Sequence, residues 1–203
     1  MNNQTISLAM TGASGAPYGL RLLEVLLRSQ RSVYLMISSP GRMCIEQETD
    51  LKLPARPKEI QSILEQHFGL ATGRLQVFGK EDWFAPVASG SNPADAMVVC
   101  PCTSGTLATI ASGQSRSLVK RAADVTMKEG RKLILVVREM PFSVIHLENM
   151  LKLARTGVVI MPANPGFYQR PSGVSELVDF VVARVLDHLN VEHQLLSRWG
   201  ADD

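Results

Sequence analysis

The stretch Ile6-Ser7-Leu8-Ala9-Met10-Thr11-Gly12-Ala13-Ser14-Gly15-Ala16-Pro17-Tyr18-Gly19 decides how the chain is read. An apolar run ends in a turn of small residues, and a proline then stands near the first turn of an amphipathic stretch, where its missing N–H costs nothing. Strand, tight turn and helix in that order make the opening unit of an α/β domain. Small side chains let the backbone approach a phosphate, and free N–H groups together with the helix dipole stabilise it. The spacing does not fit a dinucleotide fingerprint. Glycines fall at 12, 15 and 19, so neither G-x-G-x-x-G nor G-x-x-G-x-x-G is met. The second apolar run ends in Ser38-Ser39-Pro40, with no Asp or Glu to hold an adenosine ribose. A mononucleotide phosphate is the expected ligand of this turn, and a tight turn that binds nothing is the alternative.

Further along, the same alternation repeats. Short apolar runs at Val33-Ser38, Ala96-Cys100, Leu133-Val137 and Val158-Met161, with a weaker one near Leu75-Phe78, read as strands. Amphipathic stretches at Pro17-Arg28, Lys58-Phe68, Thr106-Ser112, Leu118-Glu129, Ser143-Arg155 and Val174-Leu189 read as helices. Strands apolar throughout suit a parallel sheet covered on both faces. The expectation is a doubly wound, mostly parallel sheet in a three-layer, flavodoxin-like or Rossmann-like domain, with right-handed crossovers. A single domain spans 1–203, with a C-terminal tail from about 190. Gly79 to Pro93 shows no clear period and reads as a long loop.

Bulk properties narrow the partners. Of 203 residues, 21 are Lys or Arg and 19 are Asp or Glu, a net charge of +2 that gives no reason to expect nucleic acid or an anionic membrane. No apolar stretch approaches the roughly 20 residues of a membrane span. The first residues do not resemble a signal peptide, and three cysteines argue for a reducing compartment, so a cytoplasmic location is expected. Cys100 and Cys102 are one residue apart and far from Cys44, and the four histidines form no ligand pattern with them, so no metal site is expected.

In a doubly wound sheet, ligands sit beyond the carboxyl ends of the strands. After the run ending at Cys100 comes Pro101-Cys102-Thr103-Ser104-Gly105-Thr106, whose hydroxyls are either plain helix caps or contacts to a ribityl chain or phosphate. Leu118-Glu129 places Arg121 and Lys128 seven residues apart on one helix face, with Asp124 between them. That face is either solvated and salt-bridged or an anion site. Arg138-Glu139 follows Val137, and Pro162-Ala163-Asn164-Pro165-Gly166-Phe167-Tyr168 makes a stiff turn able to present a phenol. All of these signals are expected on one rim of one sheet.

Together, TGASGAPYG (11–19), ASGS (88–91), CPCTSGTL (100–107), KRAADVTMKE (120–129), LVVREMPFSVIHLENMLKLA (135–154), MPANPGFYQRP (161–171) and LVDFVVARVLDHL (177–189) resemble the UbiX-type flavin prenyltransferases, across essentially the whole chain. That family lies within the homo-oligomeric flavin-containing decarboxylase-like proteins. The related cysteine decarboxylases usually carry a P-A-M-N element, from which residues 162–168 depart. The resemblance implies transfer of the dimethylallyl group of dimethylallyl phosphate to N5 and C6 of reduced FMN. The prenylated FMN would serve a UbiD-type decarboxylase, in ubiquinone biosynthesis or a related pathway, and the assembly would be a homododecamer. It assigns Gly12, Ala13, Ser14, Ser38, Thr103, Ser104, Gly105, Thr106 and Arg138 to the flavin, and makes Glu139 the acid/base. Ser89, Gly90, Arg121, Lys128, Tyr168 and Arg184 would hold the prenyl phosphate, with Arg121, Lys128 and Tyr168 also acting in catalysis. The chain has no aspartate-rich motif for magnesium, its adjacent aspartates being Asp202-Asp203, so these fixed groups would stabilise the departing phosphate without a metal. Trp83 and Trp199 either cover the ligand or pack. The alternatives are an FMN-dependent decarboxylase acting directly on a cysteine-containing or aromatic acid, and a protein that only stores or delivers flavin.

Overall fold

Each apolar run becomes a strand of one sheet. The computed structural model describes residues 4–70, 73–197 and 200. Its strands are β1 (Thr5–Met10), β2 (Ser32–Ile37), β3 (Leu75–Phe78), β4 (Ala96–Cys102), β5 (Lys132–Val137) and β6 (Val159–Pro162). They pair in the order β3-β2-β1-β4-β5-β6, every pair parallel. The helices are α1 (Ala16–Arg28), α2 (Ser39–Glu48), α3 (Pro57–Phe68), α4 (Ser104–Ala111), α5 (Leu118–Lys128), α6 (Val144–Ala154) and α7 (Val174–Leu189).

Side chains alternate along a strand, so a sheet buried on both faces feeds two cores. Ile6, Leu8 and Met10 of β1, with Val98 and Cys100 of β4, pack under α1, α3 and α7. Ala9 of β1, with Met97 and Val99 of β4, packs under α4, α5 and Leu153 of α6. The expected three-layer, doubly wound α/β fold is therefore observed. Among the described residues no helix is long and apolar enough to cross a membrane.

Two local readings change. Ser39–Glu48 is helical, a stretch to which the sequence assigned no element. Ser38 provides the physical reason: its hydroxyl accepts the Gly41 N–H at 3.0 Å as N-cap, and Pro40 stands in the first turn where a proline is tolerated. The loop from Gly79 contains a single 3₁₀ turn at Pro86–Ala88. Trp199 lies outside the described residues.

Candidate flavin site

The strand order reverses between β1 and β4, and loops leaving those strands in opposite directions open a crevice there. Thr11 closes its floor. Its hydroxyl donates to Pro101 O at 2.8 Å and accepts the Thr103 N–H at 3.0 Å, tying the end of β1 to the end of β4. Thr103 caps α4 by accepting the Thr106 N–H at 3.0 Å, and its own hydroxyl donates to Thr106 Oγ1 at 2.9 Å. Ser38 caps α2 across the crevice. Gly12 passes so close to α2 that an added Cβ would run into Pro40 Cβ, so only glycine lets the first turn and α2 share this wall.

The resulting cleft has a volume of about 610 Å³, within the range of cofactor sites. Thr11, Gly12, Ser38, Thr103 and Thr106 line it, together with the basic side chains Arg42, Lys80, Arg116 and Lys120. No Asp or Glu is among the described lining residues. Arg42 donates to Pro54 O at 2.5 Å, whereas no described carboxylate pairs with Lys80, Arg116 or Lys120. A cleft with hydroxyl caps, two helix N-termini and cations that no described carboxylate pairs fits a phosphate-bearing mononucleotide. Lys80, Arg116 and Lys120 went unnoticed in the sequence: Lys80 and Arg116 belong to no motif, and Lys120, which opens KRAADVTMKE, was not singled out within it.

Glu48, also unforeseen, changes the reading of the first turn. Its Oε2 accepts the N–H groups of both Gly15 and Ala16 at 2.8 Å. The start of α1 therefore already holds a carboxylate on its first N–H groups. Only the small side chains of the sequence pointed at this turn, and Glu48 lies on the helix that the sequence did not reveal.

Arg138 and Glu139 follow β5 onto the same rim. The Arg138 N–H donates to Cys102 O at 3.2 Å, which brings the pair beside α4. The Ser104 hydroxyl, then the Met140 N–H, hold the half-buried Glu139 carboxyl below the usual carboxylate range, with His146 and Arg138 adding in the same direction. Burial pushes the Tyr18 phenol up, aided by Cys100 and opposed by Arg138. Cys100 and Cys102 are fully buried; burial drives both thiols up, Cys102 to about 12. They are inert packing groups at neutral pH.

The remaining predicted residues do not join this rim within one chain. Arg121 Nε donates to Ala88 O at 2.9 Å and its Nη1 pairs with Asp124 at 2.9 Å. Lys128 pairs with Glu129, and an added Cβ on Gly90 would strike both of those side chains. The helix α5 runs back along the sheet: the Thr126 hydroxyl reaches Met97 Sδ near the start of β4, and Lys128 comes just before β5 begins. Ser89, Gly90 and Lys128 thus lie toward the N-terminal end of the strands, and Glu139 lies beyond the C-terminal end of β5, roughly 17 Å of strand away. The expectation of a single rim is corrected here, because a crossover helix returns its C-terminal half to the opposite end of the sheet. Tyr168 and Arg184 form a third group. Tyr168 meets Phe180 edge to face at 5.6 Å, and Arg184, one turn after Phe180, lines a cavity of about 280 Å³ along the open edge of β6. Trp83 is half exposed on the loop leading to the 3₁₀ turn and does not line the cleft.

The chain matches the family described as Flavoprotein over residues 1–186. It is 54% identical over 197 residues to flavin prenyltransferase UbiX of Pseudomonas aeruginosa, covering 97% of this chain and 94% of that one. It is 44% identical over 195 residues to the enzyme of the same name from Methanocaldococcus jannaschii, covering 96% and 98%. Among solved structures it resembles AnUbiX (PadA1), in complex with FMN and dimethylallyl pyrophosphate, at 38% identity and a TM-score of 0.87 over the whole of both chains. It also resembles a dodecameric FMN-dependent UbiX-like decarboxylase from Escherichia coli O157:H7, at 41% identity and a TM-score of 0.86 over 98% and 100%. Cypemycin decarboxylase, at 14% identity, shares the fold alone. By its residues, its fold and these likenesses, the chain belongs to the UbiX-type flavin prenyltransferases.

Proposed function

We propose that this chain transfers the dimethylallyl group of dimethylallyl phosphate to N5 and C6 of reduced FMN and passes the product to a UbiD-type decarboxylase in the cytoplasm, in ubiquinone biosynthesis or a related pathway. The observation that carries this reading is a cation-lined cleft at the strand reversal with no carboxylate among its described lining residues, and with Arg138 and Glu139 following β5 onto the same rim beside α4, in a chain 54% identical to a flavin prenyltransferase. Reduced flavin supplies the nucleophilic positions. Ser38, Thr103, Thr106 and the cations Lys80, Arg116 and Lys120 bind its phosphate end, while Gly12, Ala13, Ser14, Ser104, Gly105 and Arg138 orient the rest. Glu139, ionised at neutral pH, accepts a proton at its carboxylate as alkylation proceeds. Arg121, Lys128, Arg184 and Tyr168, with Ser89 and Gly90, bind the leaving phosphate and stabilise its developing charge.

These groups lie apart on one chain, so a site that uses all of them needs more than one copy. The surface is built for such an assembly. Met140, Phe142, Val144, Ile145, Leu147 and Leu151 are exposed along the start and outer face of α6, with Phe167 and Val174 exposed as well. A patch of this kind marks an interface. The dodecamer of the E. coli relative supports a homododecamer here. Among the described residues no three His, Cys, Asp or Glu side chains are grouped to hold a metal.

Incubation of the assembly with reduced FMN and dimethylallyl phosphate in excess chelator tests the reading. The expected flavin is heavier by one prenyl unit, with several turnovers per protomer. Flavin of unchanged mass would overturn the proposal, and release of carbon dioxide from a cysteine-containing or aromatic acid would then favour direct decarboxylation. Activity lost in chelator and restored by magnesium would remove the metal-free part.

A further inference from the structure

Behind Arg184 stands a row of hydrogen-bonded groups that the reaction itself does not require. Arg184 Nη1 donates to Asp187 Oδ2 at 2.6 Å, and His193 Nε2 lies 3.2 Å from the other oxygen, Asp187 Oδ1. Each oxygen of the carboxylate therefore has its own partner, which fixes the plane in which it meets the guanidinium. The backbone N–H of Leu195 points at His193 Nδ1 at 3.4 Å, making Nδ1 the acceptor and assigning the ring proton to Nε2, from which it donates to Asp187. The side chains grow more exposed along the row, from 7% at His193 through 26% at Asp187 to 54% at Arg184.

The local sequence builds this arrangement. Asn190 ends α7 in the left-handed region at φ 55°, and the Val191 N–H returns to Leu186 O at 3.0 Å. The chain doubles back, Val191 is buried, and His193 is carried under the last turn of α7. An exposed Arg–Asp pair three residues apart would contribute little by itself. A buried imidazole behind the carboxylate is a different matter, because it limits the positions the carboxylate can take. Arginine has five N–H donors, and Asp187 engages only one nitrogen of the fork. Others remain for a ligand in the cavity beside Phe180, whose ring meets Tyr168.

We propose that Asp187 and His193 are positioning residues that hold Arg184 ready for the phosphate of the prenyl donor. This rests on the functional reading of Arg184 given above. The guanidinium is ordered before the ligand arrives, so binding does not bear the cost of freezing a long side chain.

The test is calorimetric titration of the FMN-loaded assembly, with the flavin oxidised so that no turnover occurs, using dimethylallyl phosphate and, separately, inorganic phosphate. Asp187→Asn should weaken dimethylallyl phosphate binding by roughly fivefold or more while FMN affinity stays unchanged. His193→Phe should weaken it in the same direction, and His193→Gln, which keeps a donor, should restore most of the loss. In an Arg184→Met background, Asp187→Asn should add nothing further, because the group it positions is gone. An equal loss in that background would show that Asp187 acts on the fold and not through Arg184, and wild-type affinity in both Asp187→Asn and His193→Phe would overturn the relay outright. If wild-type protein binds inorganic phosphate but not dimethylallyl phosphate, the functional reading fails, and the relay is judged by the same comparisons on phosphate.

Discussion

Glu139 stands two residues past the end of β5, where a parallel strand delivers side chains to its ligand. Its Ser104 and Met140 partners stabilise the carboxylate, so its pKa lies below the ordinary value of about 4.3. Because the pKa is depressed, the carboxylate is ionised above that range, and any activity that depends on it falls only as pH drops through it. Initial rates of prenyl transfer should therefore be level from pH 8 to about pH 5 in any limb due to Glu139. Glu139→Gln should bind FMN normally and slow transfer by about 10²–10⁴-fold; unchanged turnover would leave Glu139 an orienting role only. At the phosphate end, Lys120→Ala and Arg116→Ala should each weaken FMN roughly tenfold while leaving riboflavin, which has no phosphate, unaffected. Equal losses for both flavins in a fluorescence titration would place the phosphate elsewhere. The sequence disclosed Glu139 because it follows an obvious strand and belongs to a distinctive motif. It could not disclose Lys120 or Arg116, which no described carboxylate pairs, a property of space and not of spacing.

At the scale of elements, strand positions were the most legible, since buried parallel strands must be apolar on both faces and so stand out as runs. Amphipathic helices were legible for the complementary reason. The exception is α2, whose Ser-Pro-Gly start resembles a turn and whose apolar side is short, with only Gly41 and Ile45 buried. Missing α2 meant missing Glu48, and with it the carboxylate that occupies the start of α1. Direction was the other loss. Periodicity placed Arg121 and Lys128 on one face of a helix but could not say that this helix returns to the far end of the sheet. The burial of β4 can be checked chemically. Cys100 and Cys102 are buried with thiols pushed well up, whereas Cys44 is partly exposed, although burial also raises its thiol. Native protein at pH 8 should take up one alkyl group per chain, slowly and at Cys44, and three after denaturation, as read by intact mass. Rapid labelling of Cys100 or Cys102 in the native state would contradict the packing of β4.

At the scale of the whole molecule, the chain presents a cation-lined cleft at the strand reversal but places the groups proposed for the prenyl phosphate at separate places. Ser89, Gly90, Arg121 and Lys128 lie along and below α5, while Tyr168 and Arg184 lie beside the open edge of β6. An exposed apolar face on α6 lies between a lone chain and a working site. No periodic pattern in the sequence encodes that division, because it arises from how copies meet. The central claim is that these groups act together across copies in prenyl transfer, and subunit mixing tests it most directly. Lys128→Ala and Glu139→Gln chains, each inactive when assembled alone, are dissociated, mixed and reassembled with FMN, and prenylated flavin is measured by mass. Active mixed assemblies are expected, because Lys128 of one copy can then meet Glu139 of another in an intact site. Mixed assemblies shown to contain both chains and yet as inactive as the parents would contradict the account.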